Sequence, residues 1–262
     1  MQIISFFAPK GGVGCTLATV TAAMALVEAG KRVLVLDLTD PGLHDAVYMP
    51  GTQGYIGTRL SAWGKRMENT RIGADRLKVA HVTGIEDLHM GIATAQVDEA
   101  DVILIDTPSR PTDLTLQALD CSNLTVTPAS SGMEAALITD SISDHYRLVI
   151  SRPCGLVTGT RGPEEDALVR LAFLGMRTFE TTLPYNTFFQ TQIQGELLFN
   201  GKARRGDARI AQRVGQAFGQ ELIAVAENRN RVQRFTSIAD MPVGKAVDHW
   251  RALAWQNRHL LQ

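Results

Sequence analysis

Short apolar runs alternate with stretches of helical periodicity along most of this chain. Residues 3–8 (IISFFA) and 32–38 (RVLVLDL) are nearly unbroken apolar runs, the pattern of strands covered on both faces. The runs at 77–82, 101–107, 123–128, 154–160 and 177–184 continue the series. Between them, helices are expected from the glycine turn after the first run to about residue 28, where Gly30 is a plausible stop. Further helices are expected near 86–98, 112–120, 133–145, 164–174, 187–199 and 207–227. Such alternation predicts an α/β fold, a mostly parallel, doubly wound sheet flanked by helices, in one domain spanning 1–262. The glycine-rich stretch 50–76 is expected to be a loop. A closing helix is expected at 243–261, where Val243, Val247, Trp250, Leu253, Ala254 and Leu261 fall on one stripe that packs on the body, forms a dimer seam or lies on a membrane surface.

Composition changes this picture in two places. The 262 residues, 45% of them hydrophobic, suffice for a substantial core. The formal net charge of -1 excludes a global attraction to polyanions, yet residues 200–262 hold 11 Lys and Arg against 5 Asp and Glu. A basic last quarter on an acidic body points to an anionic partner or to a solvated helical face. Three cysteines, Cys15, Cys121 and Cys154, show no metal-ligand spacing, which suits a reduced, cytoplasmic protein. No run approaches the roughly 20 apolar residues of a transmembrane helix, and the N-terminal stretch lacks the basic start and cleavage site of a signal peptide.

The candidate chemistry lies in PKGGVGCTL, residues 9–17. A glycine-rich turn between a first strand and a first helix lets backbone amides approach phosphate oxygens, and the helix terminus favours their charge. Lys10, Gly11, Gly12, Val13, Gly14, Cys15, Thr16 and Leu17 are the candidate nucleotide-binding residues, with the Thr16 hydroxyl placed for Mg²⁺. The generic pattern G-x-x-x-x-G-K-[ST] fails twice, at Pro9 and at Cys15.

KGGVGCT resembles the deviant phosphate loop, KGGxGK[ST], of the ParA/MinD family of partition and positioning ATPases. The resemblance extends through KRVLVLDLTDPG (31–42), DVILIDTPSRPTDLTLQALDCSNLTVTPASSGMEAAL (101–137), LPYN (183–186) and the helix at 209–227, about residues 1–227. It implies a P-loop NTPase fold, ATP or ADP with Mg²⁺ as ligands, and a homodimer formed around the nucleotide. It implies that Lys10 reaches across that dimer to the partner's phosphates, that Asp106 holds the Mg²⁺ shell through water, and that Pro184 and Asn186 lie near the adenine. Asp37 belongs to the second catalytic segment. The aspartate that positions water in the family, two residues after Asp37, is Thr39 here; Asp40 substitutes only if the turn shifts register.

Phosphoryl transfer depends on positioning and on positive charge, and a thiol at 15 supplies neither. The expectation is therefore weakened nucleotide binding with slow or absent hydrolysis. The resemblance also implies nonspecific DNA binding by cations of the C-terminal part, here Lys202, Arg204, Arg205, Arg209, Arg213, Arg229, Arg231 and Arg234. Three uses stay open: a nucleoid-associated partition or positioning switch, a MinD-like scaffold of a cellulose-secretion system with little catalysis, and a conjugation accessory. An adaptor or partner protein is expected. The iron–sulfur relatives of the superfamily use paired cysteines, but core packing is the expectation for Cys121 and Cys154.

Overall fold

The apolar runs form seven strands: β1 (Gln2–Phe6), β2 (Val33–Asp37), β3 (Leu77–His81), β4 (Val102–Asp106), β5 (Leu124–Ala129), β6 (Pro153–Val157) and β7 (Arg177–Thr178). They pair in the order β3-β2-β4-β1-β5-β6-β7, every pair parallel. This is the expected parallel, doubly wound sheet, flanked by helices on both faces. The helices are α1 (Cys15–Glu28), α2 (Arg59–Glu68), α3 (Ile85–Val97), α4 (Asp113–Asp120), α5 (Gly132–Ser141), α6 (Pro163–Ala172), α7 (Thr187–Thr191) and α8 (Gly206–Glu227). The computed structural model describes residues 1–39, 59–68, 75–191 and 206–228, and the helix expected at 243–261 lies outside them.

Alternate residues of each central strand enter different cores. Ile4, Phe6, Val35, Leu104 and Val126 pack with residues of α1, α2 and α8, while Leu36, Ile103 and Ile105 pack with Leu88 of α3 and Ala118 of α4. The strands therefore carry no polar face, which is why they read as continuous apolar runs. Cys154 lies in the first core and Cys121 against the second. Burial pushes their thiols up, to about 12 and about 11, so both stay protonated packing groups.

Three expectations change. Within the stretch read as a loop, residues 59–68 form α2, whose Leu60, Trp63 and Met67 are buried. Their three- and four-residue spacing is helical, but the surrounding glycines obscure it. The run at 177–184 is a strand only at Arg177–Thr178, and Leu183 rejoins the sheet by a bridge to Thr158. Between them, side chains take the backbone groups that a ladder would use. The Arg170 guanidinium donates to the Phe179 and Glu180 carbonyls, and the Glu221 carboxylate accepts from the Glu180 and Thr181 amides. The helix expected at 133–145 ends at Ser141 and widens into a π-turn, Ile142–Tyr146, which sets Tyr146 edge-on to Phe7 at 4.9 Å. Of the segment 187–199, α7 covers the described part.

Helices α1 and α8 touch where Gly219 faces Ala25, and a Cβ at 219 would stand 2.6 Å from the Ala25 Cβ. Overpacking of this kind costs about 1–3 kcal/mol, partly offset by the helix propensity of alanine, about 1 kcal/mol better than glycine. Gly219→Ala is expected to destabilise the protein by about 1–2 kcal/mol, a fall in Tm of roughly 2–8 °C. Thermal unfolding of the variant beside the parent checks this, and an unchanged or raised Tm would show that the helix pair yields freely.

Candidate functional site

Parallel register brings four strand ends level: Phe6 of β1 lies opposite Asp106 of β4, Asp106 opposite Asp37 of β2, and Asp37 opposite His81 of β3. These are C-terminal ends, and the strand order reverses here, with β4 between β1 and β2 and β5 on the other side of β1. Such a crevice is where open α/β sheets place ligands.

The glycine loop fills it. Gly12 and Gly14 have φ of 82° and 105°, values that cost an L side chain roughly 1–2 kcal/mol. Gly14 starts α1, its carbonyl accepting from the Ala18 amide at 2.9 Å. The loop is held from both sides. The buried Val13 presents its carbonyl to the Thr158 hydroxyl beyond β6 at 2.9 Å. On the β4 side, a Cβ at Gly11 would meet the Ser109 Oγ at 3.5 Å. The loop thus leads directly into the N-terminal end of a 14-residue helix, the end that favours negative charge. Leu17, by contrast, packs partly against the core.

The Thr16 hydroxyl donates to Asp106 Oδ2 at 2.6 Å, and Thr19 adds a longer contact, 3.4 Å, to Oδ1. Asp106 and Asp37 are both fully buried. Thr16 and Asp106 form a pair of hard oxygen donors beside the loop, a chemistry that fits Mg²⁺. Cys15 opens α1, partly buried, with its thiol near the Ala8 amide. Burial, reinforced by the Asp106 carboxylate, pushes that thiol far above its ordinary range. It is neutral at physiological pH and brings no charge to the loop.

At Thr39 both the amide (3.0 Å) and the hydroxyl turn back onto Asp37 Oδ1. The His81 Nε2 donates to the Thr39 carbonyl at 3.1 Å. Thr39 is therefore committed to closing its own turn. Asp40 lies outside the described residues.

Lys10 is engaged by the start of α5. Its ammonium lies 2.5 Å from Glu134 Oε1 in the first turn of α5. The other carboxylate oxygen accepts from the Ser130 amide (3.0 Å) and hydroxyl (2.6 Å). Partial burial raises the Glu134 carboxyl, but Lys10 and Ser130 outweigh it and leave its pKa below the usual glutamate range. Pro184 follows the Leu183 bridge, and Asn186 uses its side-chain oxygen to accept from the Phe188 amide at the start of α7, 2.8 Å. Between them, the Tyr185 ring carries the Arg161 guanidinium at 5.2 Å.

Arg209 and Arg213 lie one turn apart on the exposed side of α8. Lys202, Arg204, Arg205, Arg229, Arg231 and Arg234 fall outside the described residues. Glu134, Thr158 and His81 are site neighbours that the sequence reading missed. Only Glu134 left a signal, since Ser131-x-x-Glu134 is a capping box. The Ser131 hydroxyl does cap the Glu134 amide, at 3.3 Å, but the glutamate reaches Ser130 and Lys10.

The family model described as ATPase MipZ matches residues 2–142, more than half of the chain. No curated protein gives a significant match. Among solved structures, the MinC:MinD cell division complex of Aquifex aeolicus is similar at a TM-score of 0.59 and 17% identity, covering 86% of this chain and 96% of that one. MinD of Pyrococcus horikoshii with Mg-ADP is similar at 0.57 and 13%, covering 86% and 97%. The pNOB8 ParA bound to nonspecific DNA is similar at 0.55 and 16%, covering 87% and 99%.

Proposed function

The chain belongs to the ATPase MipZ family of ParA/MinD-type P-loop ATPases, and from that premise we propose that it is a nucleotide-held dimerising switch with weak or absent hydrolysis, acting in partition or cargo positioning. The observation that carries the reading is a division within one site. The Thr16 hydroxyl and the Asp106 carboxylate, an oxygen pair of the kind that suits Mg²⁺, meet at 2.6 Å beside a left-handed glycine loop, while position 15 of that loop holds a neutral thiol.

In this reading the amides of residues 11–16 bind the phosphates of ATP or ADP. Thr16 and Asp106 would hold Mg²⁺, which when bound would neutralise phosphate charge. Lys10 leaves Glu134 to meet the nucleotide of a second copy. Pro184 and Asn186 line the base. Asp37 fixes the turn in which Thr39 replaces the water-positioning aspartate, and Asp40 is too far along the chain to serve unless that turn shifts. Without a cation at position 15, charge on the transferring phosphoryl loses one stabilising group of the loop itself, which favours a switch that binds more readily than it turns over. The DNA platform would be built by Arg209, Arg213 and their basic neighbours in sequence, with an adaptor protein triggering release. Among the described residues, no helix is long and apolar enough to cross a membrane, which is compatible with a nucleoid-associated, cytoplasmic role.

The test is binding and hydrolysis of ATP by the unmodified protein with Mg²⁺, with and without DNA. Binding is expected to be measurable and lost with EDTA. Turnover is expected to stay near background, and DNA binding to weaken steeply with salt. Rapid hydrolysis by the protein alone would overturn the impaired-switch reading. Nucleotide binding without any DNA binding would favour the scaffold of a secretion or cellulose-synthesis complex.

A further inference from the structure

We propose that Arg110 supplies the phosphate-facing cation that position 15 lacks, so that this loop recognises a triphosphate through the turn after β4 instead of through the first helix. The inference rests on the nucleotide reading above and identifies a group within that site.

Among the described residues, the loops at the C-terminal ends of the strands carry three Lys or Arg side chains: Lys10 after β1, Arg110 after β4 and Arg161 after β6. Two are engaged. Lys10 is ion-paired with Glu134, and Arg161 lies over the Tyr185 ring. Arg110 is exposed, and its guanidinium has no partner among the described residues.

Its backbone is fixed close to the loop. Ser109, one residue earlier, places its Oγ 3.5 Å from where a side chain at Gly11 would begin. Thr107 is tied to the end of β1, its hydroxyl donating to the Phe6 carbonyl at 2.8 Å. On the other side, the Arg110 carbonyl accepts from the Thr112 amide (3.0 Å) and the Thr115 hydroxyl (3.1 Å), and Thr112 caps α4. The turn is therefore anchored at both ends against the first glycines of the phosphate loop.

Electrostatics calls for a cation there. Two buried carboxylates, Asp37 and Asp106, lie at adjoining strand ends, and a triphosphate would add several more negative charges. A guanidinium is always charged and can meet two phosphate oxygens at once. The anchored turn fixes where the side chain begins, so that binding has only the stem of Arg110 to order, at about 0.5–1.5 kcal/mol.

The experiment compares Arg110→Ala and Arg110→Lys with the unmodified protein, titrating each with fluorescent N-methylanthraniloyl-ATP and the corresponding ADP in Mg²⁺. Arg110→Ala is expected to weaken triphosphate binding at least tenfold and diphosphate binding less. Arg110→Lys is expected to recover part of the loss, with Tm unchanged because the anchoring bonds use only the backbone of residue 110. Equal affinity of Arg110→Ala and the unmodified protein for the triphosphate would overturn this assignment while leaving the nucleotide site standing. Equal losses for both nucleotides would also overturn it, since the cation would then not read the terminal phosphate. Failure of the unmodified protein to bind either nucleotide would overturn the site itself, and Arg110 with it.

Discussion

Replacing Lys10 by alanine is expected to abolish nucleotide-dependent dimerisation while leaving the fold intact. Lys10 is the second residue of the loop turn, half exposed, and supports nothing in the core. Its one described ion pair, with Glu134, is a surface contact worth at most about 1 kcal/mol, so the monomer should unfold at nearly the same temperature. The dimer, in contrast, would lose the cation that crosses to the second copy's phosphates. That group is desolvated on closure, and truncating one partner of such a pair costs roughly 2–5 kcal/mol. Size-exclusion chromatography or analytical ultracentrifugation with ATP and Mg²⁺ checks this, and an unchanged dimer would remove Lys10 from the interface.

The pair with Glu134 sharpens the test. Because Lys10 must leave Glu134 before it can reach another subunit, Glu134→Gln should tighten the nucleotide-bound dimer. The exposure of the lysine limits the gain to about two- to fivefold. High salt should produce the same effect on the unmodified protein only in part, because it also screens the lysine–phosphate attraction. A Glu134→Gln dimer weaker than that of the parent would mean that this carboxylate helps to build the interface instead of restraining the lysine.

The second large effect is a gain. Cys15→Lys combined with Thr39→Asp is expected to raise ATP turnover by about 100-fold or more, since a single preorganised charge-stabilising group is commonly worth 10²- to 10³-fold. The geometry favours the lysine. Position 15 begins α1 beside the Ala8 amide and within the field of Asp106, so an ammonium there would start next to a buried carboxylate and the phosphate cradle. The aspartate faces a harder task. Thr39 now donates its amide and hydroxyl to Asp37, and a carboxylate cannot replace the hydroxyl donor. It must therefore turn away from Asp37, and the turn loses one bond. Single variants should separate the two: Cys15→Lys improves affinity for ATP, whereas Thr39→Asp affects rate only when the lysine is present. A flat response of the double variant in a steady-state phosphate-release assay would show that more of the catalytic machinery has been lost than these two positions.

The long apolar runs fixed the strands in advance because each central strand is covered on both faces, and such a strand leaves a continuous apolar signal whatever its neighbours are. The glycine loop was legible for a similar reason: left-handed backbone at Gly12 and Gly14 is a local demand that residue type alone records. Interrupted signals were lost. The helix carrying Leu60, Trp63 and Met67 hides among glycines, and the run after Thr178 looks like a strand until Arg170 and Glu221 claim its backbone groups. Those bonds join residues up to 41 positions apart, so no local window contains them.

The candidate site divides along the same line. Sequence by itself determined that the chain would build a parallel sheet with a glycine loop at the end of its first strand, that Thr16 would follow that loop and Asp106 would end an apolar strand, and that a thiol would stand at position 15. Only the tertiary structure decided which charges are engaged. It set Lys10 on Glu134, Arg161 on Tyr185 and Thr39 on Asp37, and it brought the turn holding Arg110 against Gly11. Residue type records what a position is able to do, but whether a charge is already spoken for depends on which distant loop the sheet register brings beside it.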